Sequence, residues 1–160
     1  MAERIQFDIE DYEKVKAYTW YQVAGYATAF GGRKTMPLHR LLMNNPKGLQ
    51  VDHINLDRSN NRRSNLRLAT TKENQRNRGI SKNNTSGAKG VWLRYKYNDY
   101  RASIKVDGRS IHLGYYPTFI EALEAYDRAA IHYFGEFAWL NNLSEKTSES
   151  NSGVFSSAAK

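Results

Sequence analysis

Four polar residues between positions 50 and 80 have the types and the spacing needed to hydrolyse a phosphodiester. Asp52 and His53 are adjacent, Asn65 follows His53 by 12 residues, and Asn74 follows it by 21. A carboxylate and an amide carbonyl are oxygen ligands suited to a hard divalent cation, and the waters that remain on such an ion leave room for a phosphate. A neighbouring imidazole with a pKa near ~6.5 can take a proton from water near neutral pH.

Arginines around this group would supply the remaining requirement of a phosphodiester hydrolase. The cation stabilises the leaving oxygen, the imidazole activates the nucleophile, and arginine holds the phosphate. The arginines of this stretch are Arg58, Arg62, Arg63, Arg67, Arg76 and Arg78. An isolated Asp-His pair is more often a surface turn, and the arginines alone could be a solvated face, so the composition of this stretch does not by itself decide for catalysis.

The elements that would position these residues are a strand, a polar loop, a second strand and a helix. Residues 51–54 and 66–69 are strand-like, and Thr70 with Glu73 has the spacing of a capping box. Neighbours on a regular strand point to opposite faces, so Asp52 and His53 can share a site only if the strand ends or bends at His53. Upstream we expect a short helix over 7–15, strands over 19–23 and 26–30, and a helix that Pro37 opens.

The second half of the chain predicts three antiparallel strands and one helix. Residues 79–87 are small and polar, which indicates a linker. Three β-rich runs follow, over 90–97, 100–106 and 109–116, and the last two are joined by the hairpin signal Asp107-Gly108. A capping-box spacing at Thr118 and Glu121 begins a helix whose apolar residues recur at helical intervals until Gly135. From residue 144 the chain lacks periodicity, so we expect a disordered tail.

The composition of the chain excludes cysteine-based sites, and the distribution of its charge indicates the kind of partner. The chain has no cysteine, which excludes disulfides, thiolate zinc sites and a cysteine nucleophile. The acidic N-terminus lacks the apolar run of a secretory signal, so we expect a soluble intracellular protein. Residues 31–80 carry 11 Lys and Arg against 3 Asp and Glu, and residues 81–113 carry 7 against 2. Two concentrated basic blocks favour a nucleic acid as the partner.

The nuclease-like motif is carried by two segments, MPLHRLLMN and GLQVDHINLDRSNNRRSNLRLATTKENQRN. They resemble the HNH endonuclease family, in particular the phage homing-endonuclease branch in which Asn replaces the last His. The resemblance implies a ββα-metal core, with His53 as general base and Asp52 and Asn74 as ligands of one Mg²⁺ or Mn²⁺ ion. It implies that Asn65 orders the loop and helps to aim the base. The residues expected near the site, several as phosphate contacts, are His39, Arg40, Arg62, Arg63, Arg67 and Arg76.

A second resemblance is carried by SGAKGVWLRYKYNDYRASIKVDGRSIHLGYYPTFIEALEAYDRAAIHYFGEFAWLN. This segment is similar to the plant APETALA2/ethylene-response DNA-binding domain, in which a three-stranded sheet packed on one helix enters the major groove. Arg94 is the best match to a base-contacting arginine, and a guanidinium reads guanine through O6 and N7. The further residues expected to face DNA are Trp92, Lys96, Arg101, Lys105 and Arg109. Ser110 and His112 depart from the plant pattern, so the plant target sequence is not carried over.

We therefore predict an α+β chain with an HNH endonuclease domain over 1–78, a linker over 79–87, an APETALA2-type domain over 88–142 and a disordered tail over 143–160. It would nick duplex DNA as a monomer or weak dimer with one divalent ion per site. We expect a cytoplasmic location, which would be the bacterial host's cytoplasm for a phage protein. Two alternatives stay open: a DNA-binding regulator with a non-cleaving nuclease-like half, and an RNA-binding protein whose sheet aromatics stack on single strands.

Overall fold

The computed structural model describes residues 5–31 and 34–141. The chain forms two compact units that meet in sequence after Gly79. The predicted tail over 143–160 lies outside the described residues. Within those residues, no helix is both long and apolar enough to cross a bilayer.

The first unit begins with a helical segment and a three-stranded antiparallel sheet. A 3₁₀ turn at Ile9–Asp11 leads into helix α1, Tyr12–Lys16. The sheet contains β1 (Tyr21–Val23), β2 (Tyr26–Gly31) and β3 (Lys34–Pro37), in the order β1-β2-β3, and helix α2 covers Leu38–Leu42. The buried core of the unit consists of Val15, Ala27, Leu38, Leu42, Val51 and Leu66.

The structure corrects the sequence interpretation around Pro37. Strand β3 was not predicted, and Pro37 ends that strand instead of occupying the first position of helix α2. Its backbone is extended, with φ −65° and ψ 138°, and it pairs with Thr28 on the edge of the sheet. An edge strand tolerates proline because the missing N–H need not serve the ladder. The two other upstream elements are shorter than predicted, since β1 begins only at Tyr21 and α1 only at Tyr12.

The second part of this unit contains the predicted order of strand, loop, strand and helix. Strands β4 (Gln50–His53) and β5 (Leu66–Ala69) pair antiparallel, and helix α3 follows at Thr71–Arg76. Both bonds of the predicted capping box are present: Thr70 Oγ1 accepts from the Glu73 amide, and the Glu73 carboxylate accepts from the Thr70 amide. Strand β4 ends at His53, as a shared site for Asp52 and His53 requires.

The second unit is a three-stranded antiparallel sheet packed on one helix, as predicted. The strands are β6 (Val91–Arg94), β7 (Asp99–Val106) and β8 (Arg109–Tyr116), in the order β6-β7-β8. Helix α4, Phe119–Phe134, starts with the second predicted capping box, between Thr118 and Glu121. The fully buried core includes Val91, Ala102, Ile104, Leu123, Tyr126 and Ala130.

Gly90 permits the closest approach between helix α4 and the sheet. Its φ is +75°, and a Cβ added there would lie 2.1 Å from the Tyr126 ring and 2.6 Å from the Ser103 carbonyl oxygen. The Gly90 carbonyl accepts from the Ser103 amide at 2.9 Å. Only a residue without a side chain fits this position, because both the backbone conformation and the space exclude a Cβ.

Candidate active site

The first unit contains a cavity of about 410 Å³ beside the end of strand β4. Asp52 and His53 line it together with Asn74 of α3, Tyr26 of β2 and Arg58 of the β4–β5 loop. The adjacent Asp52 and His53 reach one cavity because the strand stops and the chain turns after His53, where the Leu56 amide donates to the His53 carbonyl at 3.0 Å. The turn is tight enough to place Leu56 at φ +65°.

A hydrogen bond to Asn61 fixes the tautomer of His53. The His53 Nε2 atom lies 3.2 Å from Asn61 Oδ1, and the Asn61 side chain is buried. The Asn61 amide nitrogen donates to the carbonyls of Ser59, at 3.0 Å, and Arg58, at 3.4 Å. Since the nitrogen is turned to those acceptors, the Asn61 oxygen accepts from His53 Nε2–H, and the network assigns the lone pair of the neutral ring to Nδ1.

The surroundings of His53 favour its neutral form. Burial lowers the pKa of His53 below 6.5, and the charge of Arg58 acts in the same direction. The bond to Asn61 and the carboxylates of Asp52 and Asp57 raise the pKa, but the net direction is downward. At neutral pH the ring is therefore unprotonated on Nδ1, which is the state that a general base needs.

Asp52 is buried and held by two partners that the sequence did not indicate. Its Oδ2 accepts from Arg67 Nε at 2.9 Å and Nη2 at 2.8 Å. The Asn77 amide nitrogen lies 2.9 Å from Oδ2 and 3.1 Å from Oδ1. Arg67, which we expected to contact phosphate, pairs here with the carboxylate next to His53.

The cavity offers the oxygen donors of a magnesium-type site. The side-chain nitrogen of Asn74 donates to Gln50 Oε1, so the side-chain oxygen of Asn74 is the atom that could bind a cation. Asp52 adds a carboxylate, whose Oδ2 accepts from Arg67 and whose two oxygens both lie near the Asn77 amide nitrogen. No cluster of three or more His, Cys, Asp or Glu that could hold a metal occurs among residues 5–31 and 34–141. A site of one carboxylate and one amide oxygen fits Mg²⁺, which usually keeps several waters.

Asn65 ties the β4–β5 loop together. Its amide nitrogen donates to the Asn60 carbonyl at 2.8 Å, and its Oδ1 accepts from the Asn55 amide at 3.0 Å. Its backbone carbonyl accepts from the Ile54 amide at 2.9 Å. These contacts support the loop-ordering role expected of Asn65, whereas the contact to the His53 ring comes from Asn61.

The N-terminal segment also holds this loop. The Gln6 amide donates to the Ser59 carbonyl at 2.9 Å, and the Gln6 carbonyl accepts from the Asn61 amide at 2.8 Å. Arg63 donates through Nε and Nη2 to the Asp11 carboxylate at 2.9 and 2.6 Å. Its own backbone amide donates to Asp8 Oδ2 at 2.7 Å. The guanidinium of Arg63 is therefore engaged in holding the fold, and its expected phosphate contact stays a prediction.

His39 and Arg40 lie on helix α2 but have different surroundings. The His39 ring centroid is 5.1 Å from that of His53, at an interplanar angle of 68°. His39 is buried, which lowers its pKa to about 4, and its Nδ1 has no hydrogen-bond partner among the described residues. Arg40 instead donates to Pro46 O at 2.8 Å and to Asn45 and Leu49 beyond it. Arg40 thus stabilises the α2–β4 connection, and its expected contact near the site stays a prediction.

Of the two remaining predicted cations of the first unit, one is exposed and Arg76 is half-buried. Arg62 is exposed just before the 3₁₀ turn Arg63–Asn65, and Arg76 is the last residue of helix α3.

In the second unit, Arg94 is held in a fixed orientation. Its Nε and Nη2 donate to the two oxygens of Asp99 at 2.7 and 2.6 Å. The guanidinium carbon lies 3.6 Å from the Tyr115 ring centroid and 4.2 Å from that of Tyr97. Asp99 occupies one edge of the guanidinium fork, so hydrogens on Nη1 and Nη2 stay available for a guanine edge.

The outer face of this sheet combines aromatic and basic side chains. Trp92, Arg101 and Tyr115 are register neighbours across the three strands, and all three are exposed. Lys105 of β7 and Arg109 of β8 are also exposed, and Lys96 lies in the β6–β7 turn with its Nζ 5.5 Å from the Tyr97 ring centroid. This arrangement places the predicted DNA-facing residues on exposed parts of one small sheet.

Comparison with known proteins identifies the family. A family model described as HNH endonuclease matches residues 44–76, which contain β4, the loop, β5 and α3. An uncharacterized HNH endonuclease of Acanthamoeba polyphaga mimivirus is 35% identical over 136 residues, covering 81% of this chain and 70% of the viral protein. The chain belongs to the HNH endonuclease family. Protein 3.8 of Escherichia phage T7 is 39% identical over 64 residues, 40% of this chain and 53% of the phage protein.

Three cavity or site residues of this HNH endonuclease were missed by the sequence reasoning as site groups: Tyr26, Asn61 and Asn77. Arg58, one of the arginines expected to hold phosphate, lines the same cavity. The placement of Asn61 and Arg58 depends on the conformation of a loop that has no periodicity to interpret. Tyr26 belongs to a different sheet, and its proximity to His53 arises only from tertiary packing. Asn77 follows Asn74 by three residues, about one helical turn, and this spacing is the one signal that could have indicated it.

Proposed function

We propose that this chain is a site-specific, homing-type DNA endonuclease that hydrolyses one phosphodiester bond at each active site. The observation that carries the proposal is the neutral His53, whose Nε2–H is taken by Asn61 and whose Nδ1 is the proton acceptor. It lines the same cavity as the oxygen donors of Asp52 and Asn74. The strand, loop, strand and helix that surround it support a ββα-metal core.

The reaction follows from the position of the base. His53 Nδ1 takes a proton from a water molecule, and the resulting hydroxide oxygen attacks phosphorus. The bond from phosphorus to the 3′ oxygen breaks, which leaves a 5′ phosphate and a 3′ hydroxyl. The charge that His53 gains is favoured by the carboxylates of Asp52 and Asp57, whose effect on its pKa is upward. Arg67 and Asn77 orient Asp52 and so keep the carboxylate beside the imidazole.

Asp52 and Asn74 would hold one divalent cation, Mg²⁺ or Mn²⁺, through a carboxylate and an amide oxygen. When bound, such an ion supplies Lewis-acid stabilisation to the departing 3′ oxygen. One chain carries one such site, so a monomer, or one member of a weak dimer, would produce a nick.

The second unit would read duplex DNA, in the manner of the APETALA2-type domain that it resembles. The support is its three-stranded sheet on one helix, with exposed basic and aromatic residues on the outer face. The Asp99 carboxylate and the Tyr115 ring hold Arg94 in an orientation suited to base contact. This unit would choose the site, and the first unit would cut, in the cytoplasm of the cell that contains the DNA.

The test is cleavage of supercoiled plasmid and of candidate phage DNA with Mg²⁺, with Mn²⁺ and with EDTA, using wild type and His53→Ala. We expect nicking that requires both the metal and His53, with 5′ phosphate ends. A folded wild-type protein that shifts duplex DNA but leaves it intact with each metal would favour the regulator interpretation. Preference for single-stranded RNA over duplex DNA at equal salt would contradict the homing function.

A further inference from the structure

Arg58 is a cation in the active-site cavity for which the reaction described above has no role. It lies on the β4–β5 loop and lines the cavity together with Asp52 and His53. Its Nη1 donates to the Ala24 carbonyl at 2.8 Å, and its guanidinium carbon lies 4.5 Å from the centroid of the Tyr26 ring. Both partners are uncharged, whereas Arg63 and Arg67 pair with carboxylates.

The positive charge of Arg58 is therefore not neutralised by an ion pair. In the described part of the chain, no carboxylate lies within ion-pair distance of its guanidinium. Its charge still reaches the general base, because it contributes to lowering the pKa of His53. A guanidinium has five N–H donors in a planar fork, and the Ala24 carbonyl uses one. The others remain for an anion.

The turn between β1 and β2 is shaped to hold this side chain. Ala24 and Gly25 both have positive φ, 51° and 82°, which is the backbone of a two-residue hairpin turn. A Cβ on Gly25 would lie 3.4 Å from Arg58 Cδ, so the turn packs directly against the arginine stem. Tyr26, the next residue, places its ring against the guanidinium. Ala24 precedes Arg58 by 34 residues, and the turn that contains it fixes this arginine of the β4–β5 loop.

We propose that Arg58 is a catalytic residue that binds a non-bridging oxygen of the scissile phosphate, with Tyr26 and the Ala24 carbonyl as its positioning groups. The proposal rests on the proposed function of this cavity. As the water oxygen bonds to phosphorus and the bond to the 3′ oxygen breaks, negative charge grows on the non-bridging oxygens. Arg58 donates hydrogen bonds to that charge and stays protonated throughout. His53 Nδ1 receives the proton of the attacking water, and the 3′ oxygen takes its proton from solvent.

The first test compares Arg58→Gln with Arg58→Lys and with Lys47→Gln. Lys47 is an exposed residue of the α2–β4 turn, so its replacement removes the same single charge outside the cavity. Cleavage is measured under single-turnover conditions at saturating DNA, and DNA affinity is measured separately in EDTA. We expect Arg58→Gln to slow cleavage by about 10²–10³-fold, the usual loss for one transition-state donor. Lys47→Gln should stay within about twofold of wild type, and Arg58→Lys should recover part of the lost rate.

The second test asks whether Tyr26 acts through Arg58. Tyr26→Phe keeps the ring against the guanidinium, and we expect it to cleave faster than Tyr26→Leu. Tyr26→Leu should lower the cleavage rate about tenfold without changing DNA affinity. Because Tyr26 affects the cleavage rate only by positioning Arg58, Tyr26→Leu should lower the rate little further in an Arg58→Gln background. A general loss of structure would instead reduce the rate and the affinity together and would be additive with Arg58→Gln.

The outcomes separate this proposal from the proposed function. If wild type does not nick DNA with Mg²⁺ or Mn²⁺, both proposals fail. If wild type nicks and Arg58→Gln cleaves within about threefold of it at saturating DNA, only the role of Arg58 is overturned. Equal rates for Arg58→Gln and Arg58→Lys would also overturn it, because a phosphate contact depends on the positive charge.

Discussion

His39 is a buried imidazole beside His53, and its surroundings favour a loss of stability of the first unit in acid. Burial is the main cause of its low pKa of about 4, and the positive charges of His53, when protonated, and Arg40 act in the same direction. In the unfolded chain a histidine titrates near 6.5. The unfolded state therefore binds a proton in a pH range where folded His39 does not.

We expect the stability of the first unit to fall as the pH is lowered from about 6.5 toward 4. Above pH 6.5 His39 is neutral in both the folded and the unfolded chain, so the free energy of unfolding has its full value. Between pH 6.5 and 4 the unfolded chain takes up a proton that folded His39 does not, which lowers the free energy of unfolding by on the order of 3 kcal/mol. Urea unfolding at pH 7 and pH 5 measures the effect. In His39→Phe, which has no titrating group there, the same drop in pH should cost clearly less. Equal losses in the two proteins would contradict the prediction.

At the scale of elements, the contact between helix α4 and the sheet depends on one glycine. Gly90 combines a positive φ with a Tyr126 ring in the space of its missing Cβ, whereas Gly108 in the β7–β8 turn has φ +83° and open space around it. We expect Gly90→Ala to destabilise the second unit by more than about 3 kcal/mol, since it adds overpacking to backbone strain.

Gly108→Ala is the matched control, because it carries backbone strain without a clash and should cost about 1–2 kcal/mol. Thermal unfolding followed by the fluorescence of Trp92 and Trp139, both in this unit, gives the comparison. If Gly90→Ala unfolds at the same temperature as Gly108→Ala, helix α4 can move away from the sheet at little cost in free energy.

The elements that could be predicted are those with local signals. The capping boxes at Thr70 and Thr118 and the turn at Asp107-Gly108 are short-range patterns, and the helices and strands that they begin or join are present. Strand β3 was missed because KTMP has no alternation and ends in proline. The end of β4 at His53 was expected only as a condition for a shared site, and the structure meets it.

The candidate site was predictable as a set of residue types but not as a set of contacts. Asp52 and His53 share a cavity with Asn74, which supports the expected grouping. The contact from Asn61 to His53 depends on a loop with Leu56 in a left-handed conformation, which no spacing rule indicates, whereas Asn77 follows the end of helix α3. Arg40 and Arg63 were expected near phosphate because the sequence shows that both are charged. The groups to which they donate hydrogen bonds are brought close only by the tertiary structure.

At the scale of the whole molecule, the excess of positive charge predicts how binding depends on salt. Arg101 and Lys105 are exposed on the outer sheet face, Arg109 is exposed at the start of β8, and a cation that contacts a phosphate releases about 0.9 counterion. We expect the triple variant Arg101→Gln, Lys105→Gln, Arg109→Gln to reduce the slope of log affinity against log salt by up to about 2.7.

Duplex DNA affinity measured between about 50 and 200 mM salt tests this expectation. The single-turnover cleavage rate at saturating DNA should stay the same, because these residues lie in the second unit. An unchanged salt slope would mean that the outer sheet face is not the surface that meets the phosphate backbone.

Gln6, Asp8 and Asp11 hold the β4–β5 loop, and these contacts have a consequence for how genes of this family lose their function. A copy that lacks the codons for residues 6–11 would still encode every residue matched over 44–76, including Asp52, His53 and Asn74. It would lack the backbone pairing to residues 59 and 61 and the carboxylates that hold Arg63. An intact motif therefore does not by itself distinguish a working nuclease gene from a relic, and the short upstream segment is the part whose survival separates them.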